Sequence, residues 1–388
     1  MPSAGFTLLL LTSTAVDASA AGLVLFGPWP RSGTDGRAPS ITLGRGLMTT
    51  AVTSAVFIAK LPVFHLLGVN LFGLIHLVYL DVFILLPLAG IAVLLAGRRN
   101  PSGSPLRRVT GPVRVLAWAC IALAPVGVYA TYIEPFRLQL ETARVGVPLE
   151  RDGCGTLRIG VLADIQTAHV TDYERSAVQR MMNLASDVIL LPGDLFQGTA
   201  DGFERELPAL RDLLSRLSAP GGVYCVLGNV DRPGQVERAI EGTEVRLLVN
   251  EIVRTTAGDR RLTIAGLEWL CDTPQARDTV RQLESALGSG DIRILLTHAP
   301  DAVLSLGAHS RVDLVVAGHT HGGQVRVPFF GPPFTASRVP RHIAAGGYHD
   351  LAGRRIYVSR GVGYERGQAP RIRFLVPPTI TSLTLTDP

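Results

Sequence analysis

Four long apolar runs occupy the first third of the chain, and then the pattern changes. Phe6 to Phe26, Leu47 to Val69, Leu71 to Ala96 and Val115 to Ile133 are separated by polar loops. Each approaches the ~20 residues that cross a bilayer as a helix. They predict a membrane region of about four transmembrane helices within residues 1–135. A cleaved leader is the rival reading of the first run, but no Lys or Arg precedes Arg31, so the basic start of such a leader is missing. Asp17, Lys60, His65, His76 and Asp81 interrupt the runs. Ionisable groups are costly in lipid unless they pair or turn inward. They read as internal ion pairs between helices, with a proton or ion pathway as the alternative.

Arginine placement sets the expected orientation. Arg31, Arg37 and Arg45 follow the first run, and Arg98, Arg99, Arg107 and Arg108 follow the third, whereas the connection at Asn70 has none. Both basic loops on the cytoplasmic side put the two termini outside. Arg137, Arg144 and Arg151 oppose this, with Glu134, Glu141 and Glu150 among them.

Residues 136–150 read as a linker, and residues 151–388 as one soluble domain. Short apolar runs there alternate with amphipathic stretches. Leu157–Ala163, Asp187–Leu191, Gly222–Leu227, Leu262–Ala265, Ile292–Leu296, Val312–Ala317 and Ile356–Ser359 have strand character. Thr171–Leu184, Phe203–Leu217 and Pro274–Leu287 have helical spacing. Strands and helices in alternation predict a layered α/β domain. Arg326 to Gly353, rich in Pro and Gly, reads as a long ordered loop near the site.

Composition adds little to this picture. The net charge is +5, but Lys60 is the only lysine, which points to coding bias as much as to a polyanion partner. With no basic tract interleaved with aromatics, nucleic acid is not an expected partner. Cys120, Cys154, Cys225 and Cys271 lie far apart and read as structural; spacing alone does not pair Cys154 with Cys271.

The chemistry gathers at the ends of the apolar runs. Asp164-Ile165-Gln166, Gly193-Asp194, Gly228-Asn229-Val230-Asp231, Thr297-His298 and Gly318-His319-Thr320-His321-Gly322-Gly323-Gln324 each follow a strand. Taken singly, Gly-Asp and Gly-Asn are ordinary turns. Ligands of open α/β sheets lie beyond the carboxyl ends of strands, so five such groups can converge. Mixed carboxylate, amide and imidazole donors suit Mn, Fe or Zn better than Ca or Mg.

From Leu157 onward these motifs, in this order, resemble the calcineurin-like metallophosphoesterase family. Gly318-His-Thr-His-Gly-Gly-Gln and Tyr357-Val-Ser-Arg-Gly-Val-Gly look closest to its membrane-associated bacterial branch. The resemblance implies a two-sheet αββα sandwich and two divalent metal ions. It implies that Asp194 bridges them, with Asp164, Gln166 and His321 on the first ion and Asn229, His298 and His319 on the second. Asp194, Asn229 and His319 are the expected catalytic residues, a hydroxide between the ions the nucleophile, and Arg360 a substrate-binding candidate. The implied substrate is a phosphomonoester, phosphodiester or pyrophosphate, of a soluble molecule or of a lipid or envelope precursor. A metal- or phosphate-binding sensor without turnover is the alternative, and transport by the helices a weaker one.

Two positions depart from the family pattern. Gln166 stands where a histidine is usual on the first metal, and offers only a neutral oxygen. Val230 stands where a histidine protonates the leaving group or steadies the phosphate, and valine does neither. Asp231, His169, His342, His349 and Arg360 are the candidates to compensate.

Overall fold

The computed structural model describes residues 4–27, 40–98, 108–147, 156–285, 291–307 and 309–386. Cys154, Arg31, Arg37, Arg99, Arg107, Glu150 and Arg151 lie outside the described residues. The chain divides into two compact units, Met1–Ala130 with Arg366–Pro370, and Thr131–Glu365 with Arg371–Pro388.

The first unit is helical. Four helices, α1 (Ala4–Phe26), α2 (Leu43–Leu66), α3 (Leu71–Ala96) and α4 (Gly111–Phe136), are long and apolar enough to cross a membrane. Large apolar side chains such as Leu8, Leu11, Leu23, Leu47, Ile58, Leu88 and Val115 are exposed on them. The Lys60 ammonium meets the buried Asp17 carboxylate at 2.5 Å and Ser13 Oγ at 2.8 Å. This is the internal ion pair expected for charges held among apolar helices. α3 widens to a π turn at Asp81–Leu85. Asn70 caps its start through Gly73 N–H.

The second unit holds two six-stranded sheets. Its strands are β1 (Gln139–Gly146), β2 (Leu157–Val161), β3 (Val188–Leu191), β4 (Val223–Cys225), β5 (Val245–Leu247) and β6 (Glu251–Ala257). They continue with β7 (Arg260–Gly266), β8 (Ile292–Leu296), β9 (Leu314–Ala317), β10 (Gly347–Leu351), β11 (Arg354–Val358) and β12 (Thr379–Thr386). One sheet runs β1-β12-β2-β3-β4-β5 and the other β10-β11-β9-β8-β7-β6. In register, Ile159 stands beside Val188 and Ile189 beside Val223, while Ile294 stands beside Leu314.

Side chains of a strand alternate between faces, and that alternation builds three layers of core. Ile159, Val188 and Leu190 of one sheet face Ile264, Ile294 and Val316 of the other. Ile189 and Leu191 point the opposite way, against helices α5 (Asp172–Met182) and α6 (Ala200–Ser215). Leu295 and Val315 meet α8 (Pro274–Ser285), the helix that follows α7 (Pro233–Ile240) in the chain. Each such aliphatic side chain, fully buried, contributes roughly 1.5–3 kcal/mol. The expected αββα sandwich is therefore present.

Two expected stretches differ. The 136–150 linker contains β1, which pairs along its whole length with β12. As an edge strand in which Val145 alone is fully buried, β1 lacks the apolar alternation that marks a strand. Likewise, the Arg326–Gly353 loop includes a helical turn, Arg341–Ala344, and the partly exposed edge strand β10.

Candidate metal centre

The parallel strands β2, β3, β4, β8 and β9 end on one side of the sandwich, and the loops beyond them carry the candidate residues. Backbone strain marks the place. Asp164, Gln166, Asp194, His319 and His321 all have left-handed φ, between 43° and 72°. That conformation is uncommon outside glycine and persists where surrounding structure imposes it, chiefly at functional sites.

Neighbouring contacts supply the imposition. The Asp231 carboxylate accepts the N–H groups of Asp194 (2.7 Å), Leu195 (2.8 Å) and Gly228 (2.9 Å). It thereby ties the loop after β3 to the loop after β4. Asp194 Oδ1 in turn accepts the Val230 N–H at 3.0 Å. A Cβ at Gly228 would stand 2.0 Å from Asp194 Oδ1, and one at Gly318 2.7 Å from Asp164 Oδ2. Only glycine lets these backbones come so close.

Four groups converge at the second position implied by the resemblance. Asn229 Oδ1 lies 2.9 Å from His298 Nε2 and 2.8 Å from His319 Nδ1; the two imidazole nitrogens are 3.1 Å apart. Asp194 Oδ2 is 3.5 Å from His298 Nε2. The opposite ring nitrogens face carbonyls that can only accept: His298 Nδ1–H donates to Pro192 O (2.7 Å) and His319 Nε2–H to Ala336 O (3.1 Å). In the neutral rings, the nitrogens facing each other are therefore bare lone pairs. With the Asn229 oxygen turned towards them, as it is here, no proton lies among the three atoms. Donors ~2.0–2.1 Å from one ion stand about 2.8–3.4 Å apart across octahedral and tetrahedral geometries. The observed separations match that spacing, so the residues fit a divalent ion. Backbone carbonyls that fix the outer ring nitrogens are the usual orienting partners of metal-binding histidines.

Electrostatics agree. Burial drops His298 and His319 to about 4. Burial, with the Arg373 guanidinium second, holds His321 well below the usual imidazole range. All three rings are neutral at pH 7. Burial and then the Asp194 charge raise Asp164 well above the usual carboxylate range, and burial raises Asp194 to about 7. Asp164, Asp194 and His298 bring ligand atoms within 4.8 Å of one another. Crowded buried carboxylates beside neutral imidazoles are a donor set that a cation would relieve.

The remaining candidates are placed differently. Gln166 Nε2 donates to Glu365 at 3.3 Å. His321 Nδ1 lies 3.3 Å from the guanidinium of Arg373. Arg373 is fully buried and also donates to the carbonyls of Arg360, Gly361, Gly363 and Val376. Asp164 accepts the His319 N–H at 3.0 Å. Arg360 is turned towards Glu141 (3.8 Å) and Ala345 O (3.4 Å). Of the candidates to replace the missing imidazole, Asp231 is committed to three backbone amides. His169 pairs with Glu206 at 3.0 Å, and His349 contacts Gly346 O.

Three neighbours carried no sequence signal. The Trp269 ring lies tilted 6.0 Å from that of His319 and edge-on 6.4 Å from that of His298. Glu365 holds both Gln166 and Gln197. Arg373 braces the turn after β11. Each sits in a loop whose only marker is its fold neighbours.

Comparison with known proteins fits this centre. Residues 157–323 match the family model described as calcineurin-like phosphoesterase. The chain is 30% identical over 268 residues to the uncharacterized metallophosphoesterase YkuE of Bacillus subtilis, covering 66% of this chain and 88% of that protein. It is 28% identical over 277 residues to the phosphodiesterase YaeI of Escherichia coli, covering 66% and 92%. It is 26% identical over 319 residues to the UDP-2,3-diacylglucosamine pyrophosphatase LpxG of Chlamydia trachomatis, covering 67% and 93%. The chain belongs to the calcineurin-like metallophosphoesterase family. It is accordingly a hydrolase of phosphoric esters.

Proposed function

We propose that this metallophosphoesterase is membrane-anchored and hydrolyses a phosphodiester or pyrophosphate of a lipid or envelope precursor. The observation that carries the reading is the convergence of lone pairs from Asn229, His298 and His319 beside Asp194. In this reading Asp194 is shared by two ions, Asn229, His298 and His319 hold one, and Asp164 with Gln166 and His321 holds the other, more weakly. Divalent ions bound there supply Lewis acidity towards a phosphoryl oxygen and water activated near neutral pH. The chain's own residues hold the imidazoles neutral, orient them through Pro192 and Ala336, and keep the carboxylates in place through backbone amides. Support for the substrate class comes from the four apolar helices and from a relative named for a diacylglucosamine pyrophosphatase.

Purified full-length protein in detergent is expected to carry Mn, Fe or Zn and to cleave an activated aryl phosphodiester. A chelator is expected to abolish turnover, and the metal to restore it. Protein free of divalent metal, with turnover indifferent to chelation, overturns the reading. The substitutions at Gln166 and Val230 favour a second reading, a domain that binds metal or phosphate without turnover; aryl-ester cleavage excludes it. The arginine asymmetry supports an extracytoplasmic catalytic domain. An alkaline-phosphatase reporter fused before β2 is expected to be active in cells, and a fusion active only as a cytoplasmic reporter reverses the topology.

A further inference from the structure

The loop that follows the Gly318–Gln324 segment carries a feature the catalytic reading leaves unused. Val327 and Gly331 pair as a tight antiparallel hairpin, Val327 N–H to Gly331 O at 3.0 Å and Gly331 N–H to Val327 O at 2.9 Å. Its tip is Pro328-Phe329-Phe330. Phe329 is fully exposed, Phe330 is 60% exposed, and Val327 and Phe334 beside them are also exposed. Phe329 moreover has φ 64°, an outlier for a bulky side chain. Backbone strain is thus accepted to hold a phenyl ring out in water. Contiguous exposed apolar surface of this kind marks an interaction site.

Both ends of the loop are fixed. Gln324 O and the Arg326 N–H bond to the backbone of Phe374, each at 2.8 Å. On the far side Ala336 O meets His319 Nε2, and Arg338 bonds Asp301 at 2.9 Å. The tip therefore stands seven residues from a carbonyl that orients a candidate ligand. Along the chain the segment is basic, although Arg338 is paired with Asp301. From Val325 to His349 there are three arginines and no Asp or Glu, and the Arg341 guanidinium lies 4.7 Å over the Phe330 ring. Aromatic rings flanked by arginine suit the headgroup layer of an anionic bilayer, the rings among upper acyl carbons and the guanidinium at phosphate level.

We propose that the Val327–Gly331 hairpin docks on the membrane: Phe329 and Phe330 enter the interfacial layer of an anionic bilayer. This brings the His319 cluster to phosphoesters carried by lipids. The inference rests on the hydrolase reading above and names the surface on which it works. A bilayer is the occupant rather than a protein because the chain itself carries helices of membrane-spanning length and because Arg341, against the Phe330 ring, complements anionic headgroups.

The test uses the full chain in phosphatidylglycerol-containing nanodiscs. Phe329→Trp is compared with wild type, whose native tryptophans supply the baseline. The added emission is expected to be blue-shifted and quenched by lipids brominated near the headgroup end of the acyl chain, less so by lipids brominated near its tail. Added emission that stays red-shifted and unquenched overturns docking. So does a shift that appears only as protein concentration rises, which assigns the hairpin to a second copy. In kinetics, Phe329→Ser/Phe330→Ser is expected to lower kcat/KM on a vesicle-borne phosphoester at least tenfold. Turnover of a soluble aryl phosphodiester and metal content are expected to be unchanged. Equal loss on both substrates, or no loss on either, overturns docking. If wild type cleaves neither substrate, the hydrolase reading fails, while the quenching result still decides whether the hairpin enters lipid.

Discussion

Asp194→Asn is expected to lose bound metal and turnover together. Removing only an outer partner of a metal ligand typically costs 10–100-fold, so neutralising a carboxylate that on the proposed reading is shared by two ions should lower kcat/KM by more than ~10²-fold. The fold should survive. Asparagine has the same shape, tolerates left-handed φ, and keeps an oxygen for the Val230 N–H that Asp194 Oδ1 now accepts. The Asp231 brace acts on the main-chain N–H of residue 194, which the substitution leaves in place. Metal analysis, thermal unfolding and turnover on the same preparation check this. Full metal content with full activity would move the site elsewhere.

Val230→His is expected to change which esters are cleaved rather than whether metal binds. Proton delivery to a leaving group is typically worth ~10²–10⁴ in rate, about 3–5 kcal/mol of barrier. The side chain at 230 is half-buried and follows Asn229 directly, yet valine has no proton to give. Asp231, the nearest carboxylate in sequence, spends both oxygens on three backbone amides. Wild type should therefore prefer good leaving groups, such as nitrophenolate or pyrophosphate, over alkoxides. Val230→His should narrow that preference at constant metal content. Gln166→His should instead raise metal occupancy and leave the leaving-group dependence alone. A series of aryl and alkyl esters of graded leaving-group pKa reads both effects. A flat series for wild type, or an unchanged slope in Val230→His, identifies another proton source.

Much of this was legible before any coordinates. The buried strands of both sheets announce themselves because residues such as Val188–Leu191 are apolar on both faces, and polar residues appear where those strands stop. The edges were harder to read. β1 buries only Val145 fully. β12 fills buried positions with threonine, as at Thr381, whose hydroxyl meets that of Tyr357, so a real strand looks polar. The candidate motifs stand out by spacing, whereas the division between two ions comes from the family resemblance and not from spacing. His298 and His319 can be seen to face each other only once Pro192 and Ala336, distant in sequence, fix their rings. Arg360 is a substrate-contact candidate through the family resemblance alone. The fold turns it to Glu141 on β1, a strand the residue pattern did not show. Trp269, Glu365 and Arg373 reach the centre through tertiary neighbours alone, which no local pattern encodes.

The position of β12 has a consequence for how the domain is made. It lies between β1 and β2, parallel to the first and antiparallel to the second, although it is the last strand of the domain to leave the ribosome. Synthesis proceeds at roughly 5–20 residues per second, so for roughly 10–40 seconds the nascent domain holds β2 with one bare edge and β1 with no partner. Bare edges invite pairing with other chains. Arg373, which clamps the turn after β11, emerges in the same final stretch. The strand that closes the sheet and the cation that braces the site thus arrive together. Premature termination before Thr379 would strand a nearly complete chain in its most aggregation-prone form.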